Sequence, residues 1–175
     1  RDFHHACRLR MRMQKCFSDA GKETKPEARR HILRFVVAGG GSTGVELAGE
    51  LQHRLRWLAR EAGIGEREPT MTLLEASDHL VPEFGRANAR RALHALENCG
   101  VKVRLKSRIV SYDGQVAALQ SGEEVPAPTL IWAAGVKGSP LLASAGLRTD
   151  SGGRALVNTL MRAEGFEHVY VVGDA

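Results

Sequence analysis

Cysteine is scarce in this sequence, and its spacing is uninformative for redox chemistry. The 175 residues hold three, Cys7, Cys16 and Cys99, an odd number with no C-x-x-C pair. That argues against a disulfide framework, a thioredoxin-like redox pair and a zinc ribbon. It makes a reducing, cytoplasmic setting the expectation. Aromatic residues are only 5%. A nucleic-acid binder would want stacking aromatics beside its charge, so nucleic acid is not expected as a partner despite a net charge of +5. The basic runs Arg8–Arg10–Arg12–Lys15 and Arg54–Arg56–Arg60 read instead as solvated helix faces. No apolar run approaches the roughly 20 residues that cross a bilayer, and no secretory leader pattern follows Arg1. His4 and His5 beside Cys7 are better explained by one helix with exposed imidazoles and a buried thiol than by metal ligation, so no metal is expected. Hydrophobic residues at 43% and charged residues at 26% suit an ordinary globular domain with a real core. The chain starts at Arg1 and stops at VVGDA straight after an apolar run, so a piece of a longer protein is expected.

Hydrophobic periodicity divides the chain into elements. Residues 3–18 repeat apolar side chains at three- to four-residue steps, which predicts an amphipathic helix stopped by Gly21. Pro26 suits the first turn of a short helix through Arg30. Leu33–Ala38 is a compact buried strand. Ser42–Ala62 predicts a helix with Leu47, Leu51, Leu55, Leu58 and Ala62 as its apolar stripe. Thr70–Glu75 is a second strand, 86–99 a helix ended by Gly100, and Val101–Leu105 a third strand. The order is β-α-β-α-β, one mononucleotide-binding half of a parallel sheet. Short alternating runs follow at 108–112, 115–119 and from Val125, separated by Asp113-Gly114 and Ser121-Gly122, and these predict an antiparallel meander. LIWA at 130–133 resumes a buried strand. Ala155–Asn158 and Val169–Val172 read as two more. The fold class expected is α/β: a Rossmann-like βαβαβ with a small antiparallel meander.

The stretch FVVAGGGSTGVE, residues 35–46, carries two overlapping motifs. Gly39, Gly41 and Gly44 spell G-x-G-x-x-G. In that reading Gly39 makes the tight turn, Gly41 lets backbone N–H groups reach a pyrophosphate, and Gly44 lets the helix lie close to the strand. The helix N-terminus adds about half a positive charge toward the anion. Gly40, Ser42 and Gly44 equally spell G-x-S-x-G, a nucleophile elbow with Ser42 as nucleophile. Asp150 and His168 would be its partners, but no HGGG-type oxyanion segment accompanies it. A phosphate-binding Walker loop is excluded because GK[ST] is missing. Glu75 separates the two readings. A carboxylate at the C-terminal end of the second strand can accept both hydroxyls of an adenosine ribose. It lies further from the glycines than the usual spacing of about 20 residues, and the long helix and loop between them absorb the excess. An ordinary strand-end acid is the plain alternative. Glu75 would repel a ribose 2′-phosphate, and no arginine follows in Ala76-Ser77-Asp78, so NADH is favoured over NADPH.

FVVAGGGSTGVELAGEL, MTLLEASDHLVPEF, APTLIWAAGV and HVYVVGDA, in this order, resemble the type II NADH dehydrogenases, flavin-dependent NADH:quinone oxidoreductases of the two-dinucleotide-binding-domain superfamily. ACRLRMRMQKCF resembles the connector helix of that family. The resemblance implies connector helices over 1–32, an NADH-binding domain over 33–148, and a return segment over 149–175 belonging to an FAD-binding domain. It implies that Gly39, Gly40, Gly41, Ser42, Thr43 and Gly44 cradle NADH, with Glu75 on its ribose. Glu46 would lie near the nicotinamide and flavin as the candidate catalytic residue, with a first-turn glutamate favoured by the helix dipole as the plain alternative. Ala134 and Gly135 match the loop passing close to the dinucleotide. Asp174 matches the aspartate on the flavin ribityl chain. Relatives often carry proline where this chain has Ser42, and serine suits a helix start equally. The implied cofactors are NADH and, in the full-length protein, FAD, with a quinone as acceptor at the cytoplasmic face of the membrane. Peripheral membrane attachment through regions outside the chain and a homodimer are compatible with the resemblance. Related flavoproteins with another acceptor, such as ferredoxin reductases or apoptosis-inducing-factor-like proteins, remain alternatives. So does a non-catalytic dinucleotide-binding module.

Overall fold

A computed structural model describes residues 3–135 and 137–173. They cluster into two compact units, 1–134 and 135–175. The first unit opens with α1 (Phe3–Lys22) and α2 (Pro26–Ile32). It continues with β1 (Arg34–Ala38), α3 (Ser42–Glu61), β2 (Thr70–Leu74), α4 (Gly85–Asn98) and β3 (Val101–Arg104). Three short strands follow, β4 (Ile109–Tyr112), β5 (Val116–Leu119) and β6 (Glu124–Pro126), and then β7 (Thr129–Trp132).

β3, β2, β1 and β7 form one sheet in that order, with every pair parallel. The register aligns Ala38 with Leu74 and Trp132, and Leu74 with Arg104, so all four strands end at one edge. β4, β5 and β6 form a separate antiparallel sheet. This is the expected α/β fold with its meander.

Alternation along β1 assigns the two faces, because successive side chains of a strand point opposite ways. Phe35 and Val37 join a core with Met13 and Phe17 of α1, Leu51 and Leu55 of α3, and Leu96 of α4. Val36 joins Leu74 and the meander residues Ala117, Leu119 and Val125. Helices therefore cover one face and the meander the other, as a parallel sheet buried on both sides requires.

Three local expectations are corrected. α1 runs through Gly21 to Lys22. One glycine costs a helix about 1 kcal/mol relative to alanine, and burial of Met13, Cys16, Phe17 and Ala20 outweighs that. Arg12 also ties α1 to the start of β7, donating to Thr129 Oγ1 at 3.3 Å and to the Pro128 carbonyl at 3.0 Å. On α3 the buried stripe runs Gly44, Ala48, Leu51, Gln52, Leu55, Leu58 and Ala59, while Leu47 is half-buried and Ala62 exposed. The small residues Gly44 and Ala48, not the bulky Leu47, face the sheet because the helix start lies so close to it.

The third correction concerns the second unit. Ala155–Asn158 and Val169–Val172 do not form strands; only isolated bridges link Thr149 to Ala155, Val157 to Ala163 and Arg162 to Tyr170. The backbone is interrupted by turns. Asp150 Oδ1 accepts from the Gly152 and Arg154 amides, and Asn158 Oδ1 from those of Leu160 and Arg162. Tyr170 and Val172 are 62% and 74% exposed, so the apolar alternation has no face to bury within the described residues. A short helix, α5 (Pro140–Ser144), is present instead, capped by the Ser139 hydroxyl accepting from the Leu141 amide.

Candidate functional site

The glycine loop lies where β1 ends in the middle of the parallel sheet. The chain leaves β1 toward β2 and β3 on one side, and β7 returns on the other. Open α/β sheets bind ligands at such a reversal, beyond the C-terminal strand ends. The ladder continues into the loops: the Gly39 amide donates to Leu74 O, Ala133 to Ala38 O, and Glu75 to Arg104 O.

Each glycine of the loop meets a different demand. Gly39 has φ +111, open only to glycine, and a Cβ there would sit 2.7 Å from Ala134 N and Cα. A Cβ on Gly44 would overlap the Gly39 carbonyl oxygen. A Cβ on Gly40 would strike Leu80 and the Glu75 side chain at 2.6 and 2.9 Å. Gly41 differs: its φ is −69, and a Cβ there would meet nothing within 4 Å. Packing explains three of the glycines and leaves Gly41 facing open space.

Glu75 follows β2 directly and turns back over the loop. Its Oε2 accepts from the Gly40 amide at 2.5 Å and its Oε1 from the Ser77 amide at 2.6 Å. Partial burial would raise its pKa, but the N–H groups of Ser77 and Gly40 and the Ser77 hydroxyl overcome this and hold it below the ordinary glutamate value. The side chain is thus a fixed carboxylate with one backbone donor on each oxygen. With the Ser77 hydroxyl also donating, at most about one of the roughly four lone-pair positions of the carboxylate stays open to a further donor.

Gly41 is the N-cap of α3 and supplies no side-chain cap. Ser42 and Thr43 are the first two helical residues, both exposed. Glu46 is exposed too and lies in the second turn of α3, not the first, beyond the turn where the helix dipole favours an acid. Ala134 is placed against Gly39 by the end of β7. Gly135 begins the second unit with φ +67. Asp174 lies outside the described residues.

The serine-nucleophile alternative finds no support in the geometry. Ser42 sits in regular helix, and the non-glycine residues with positive φ are Val81, Lys106 and Met161, whereas an elbow serine is strained. Asp150 Oδ1 serves a backbone turn, and His168 is almost fully exposed, 3.9 Å from Glu167. A cavity of about 760 Å³ opens at the opposite edge of the sheet, beside Arg34, Thr70 and Lys102, and none of the expected site residues lines it.

The sequence reading missed the segment from Ser77 to Glu83. The Val81 amide donates to Gly40 O at 2.8 Å, and Glu83 Oε1 accepts from the Ser42 amide at 3.3 Å. Pro82 signals a turn there, but nothing in the letters places that turn over a loop some forty residues earlier.

Three comparisons bear on this site. A family model described as pyridine nucleotide-disulphide oxidoreductase matches residues 8–175. A probable NADH dehydrogenase of Dictyostelium discoideum is 28% identical over 180 residues, covering 99% of this chain and 39% of that protein. A type II NADH:quinone oxidoreductase of Staphylococcus saprophyticus is 33% identical over 145 residues, covering 81% of this chain and 36% of that one. The solved structure of NDH2 from Plasmodium falciparum in complex with NADH shares the fold, with a TM-score of 0.82 at 19% identity over 99% of this chain and 38% of that one. The chain spans less than two fifths of the length of these curated relatives.

Proposed function

The chain belongs to the pyridine nucleotide-disulphide oxidoreductase family, and from that premise we propose that it is the NADH-binding part of a flavoprotein NADH dehydrogenase. NADH lies across the crevice at the ends of β1 and β7. Its pyrophosphate rests on the amides of Gly41, Ser42 and Thr43 at the start of α3, where the helix dipole favours an anion. Gly39, Gly40 and Gly44 shape the backbone that presents those amides. Glu75 takes both hydroxyls of the adenosine ribose, the second in place of the Ser77 hydroxyl. Ala134 and Gly135 keep the chain after β7 low enough for the dinucleotide to pass, and Glu46 stands on the exposed flank of α3 toward the nicotinamide end.

The supporting observation is the combination at one sheet edge of an open Gly41 and a carboxylate fixed by Gly40 and Ser77. The same carboxylate accounts for NADH over NADPH. A 2′-phosphate would meet Glu75, and the nearby Arg86 is already paired with Asp78, 3.0 Å away.

In the complete protein, a bound FAD would accept a hydride from nicotinamide C4 and would pass the electrons on to a quinone. Within this chain the work is binding and orientation, and hydride transfer itself requires no acid–base residue. Asp174 would serve the flavin. No helix of the described residues is long and apolar enough to cross a membrane; in the complete protein, peripheral attachment at the cytoplasmic face would run through regions outside the chain, and a homodimer would be compatible with it.

Calorimetric titration with NADH tests the reading. The chain should bind NADH, prefer it to NADPH, and lose most of its affinity in Glu75→Ala. Unchanged affinity in that variant would remove Glu75 from the site.

A further inference from the structure

The segment after Glu75 places a second carboxylate at the glycine loop. Glu83 Oε1 accepts a hydrogen bond from the backbone N–H of Ser42, the first residue of α3. Gly41, the N-cap, has no side chain to satisfy the orphan amides of that first turn. Glu83 therefore acts as the anion at the helix start. Its position is imposed by its neighbours. Val81 is tied to Gly40 O at 2.8 Å, and a Cβ on Gly40 would be 2.6 Å from Leu80. Val81 has φ 40, a left-handed conformation that a β-branched residue adopts only when its surroundings enforce it. No lysine or arginine among the described residues forms an ion pair with Glu83.

We propose that Glu83 is a specificity-determining residue of the nucleotide site, one that discriminates against nucleoside polyphosphates and leaves the dinucleotide tolerated. This rests on the reading of the loop as an NADH site. A bound pyrophosphate needs the amide that Glu83 holds, so the ligand must displace the carboxylate. The displaced side chain stays tethered by Val81 and Pro82, within a few ångströms of the phosphates. Repulsion between them grows with ligand charge. Each phosphate of NADH is bridged on both sides and carries a single charge. ADP ends in a free terminal phosphate with a further ionisation, and ATP adds another. The penalty therefore rises from NADH to ADP to ATP, in modest steps because the site is open to water.

The test is calorimetric titration of the 175-residue chain and of its Glu83→Gln variant with NADH, ADP and ATP at low salt. Glutamine keeps the shape and removes the charge. The expected result is tighter binding of all three ligands in the variant, by less than about twofold for NADH and about fivefold for ATP. The gain should shrink as salt is raised through the physiological range. Equal gains for the three ligands, or none, would overturn the proposal, and Glu83→Ala should give the same ranking. NADH binding by the wild-type chain with an unaltered NADH-to-ATP ratio in the variant removes the role of Glu83 alone. Absence of NADH binding in both proteins removes the underlying site as well.

Discussion

The glycine loop has an inner and an outer half, and they answer to different constraints. Gly39 and Gly44 face the fold: one backbone angle is open only to glycine, and both positions lack room for a methyl group. Gly41 and Ser42 face outward, where a Cβ meets nothing or the side chain is already exposed. A folded chain with no ligand would need glycine at the first two positions and not at Gly41. The outer half is where the proposed dinucleotide would be seated. A single sequence motif thus joins a packing requirement to a binding requirement, and substitutions should separate the two.

The largest effect is expected inside. Gly44→Ala drives a methyl into the Gly39 carbonyl and should destabilise the chain by about 3 kcal/mol or more, read from the denaturant midpoint. A midpoint equal to wild type would erase the inner half of the contrast. Next comes the hinge between the halves. Glu75→Gln should weaken NADH binding by about 30-fold, since the amide keeps one acceptor oxygen but loses the charge and the other acceptor. It also weakens the anchorage of Gly40 and Ser77, and this part depends on pH. The folded-state pKa of Glu75 lies below the ordinary value. Its contribution to stability is therefore complete above the ordinary glutamate pKa and is lost as pH falls through the lower, folded value. The stability gap between wild type and Glu75→Gln should close on acidification across that window; a constant gap would mean that the carboxylate is not held as described.

Smaller effects are expected outside. Gly41→Ala should leave stability within about 0.5 kcal/mol of wild type and weaken NADH by about tenfold, as an added methyl obstructs the pyrophosphate. Loss of stability with intact binding would reverse the account of that position. The smallest effect belongs to Ser42→Ala, which should change neither stability nor NADH affinity by more than about twofold, since in the proposed site the Ser42 amide, not its hydroxyl, would meet the ligand.

Much of this was legible in the sequence because the signals were local. Buried parallel strands are short continuous apolar runs, so β1, β2, β3 and β7 could be read directly, and the Asp113-Gly114 and Ser121-Gly122 turns marked the meander. Glu75 was legible because it follows TMTLL at a strand end. The failures have a common physical source. Val169–Val172 has a strand's composition, but a strand also needs a continuous ladder and a face to bury; the bridge from Arg162 to Tyr170 is isolated, and Tyr170 is 62% exposed. Leu47 reads as the start of α3's apolar stripe, yet the close approach of helix to strand at Gly44 turns smaller residues inward. α5 was readable from Ser139-Pro140, an N-cap followed by proline in the first turn, and was passed over. Glu83 was not readable, because its relation to Ser42 depends on how the loop after β2 folds back over the first.

The central claim is that a dinucleotide sits at the C-terminal edge of the parallel sheet, on the outer half of the loop. Backbone amide chemical shifts followed by NMR during an NADH titration test it most directly. The account predicts the largest shifts at Gly40, Gly41, Ser42, Thr43 and Ser77, with Arg34 and Thr70 at the opposite edge unmoved. Saturable shifts centred on Arg34, Thr70 and Lys102, with the glycine-loop amides unmoved, would contradict it.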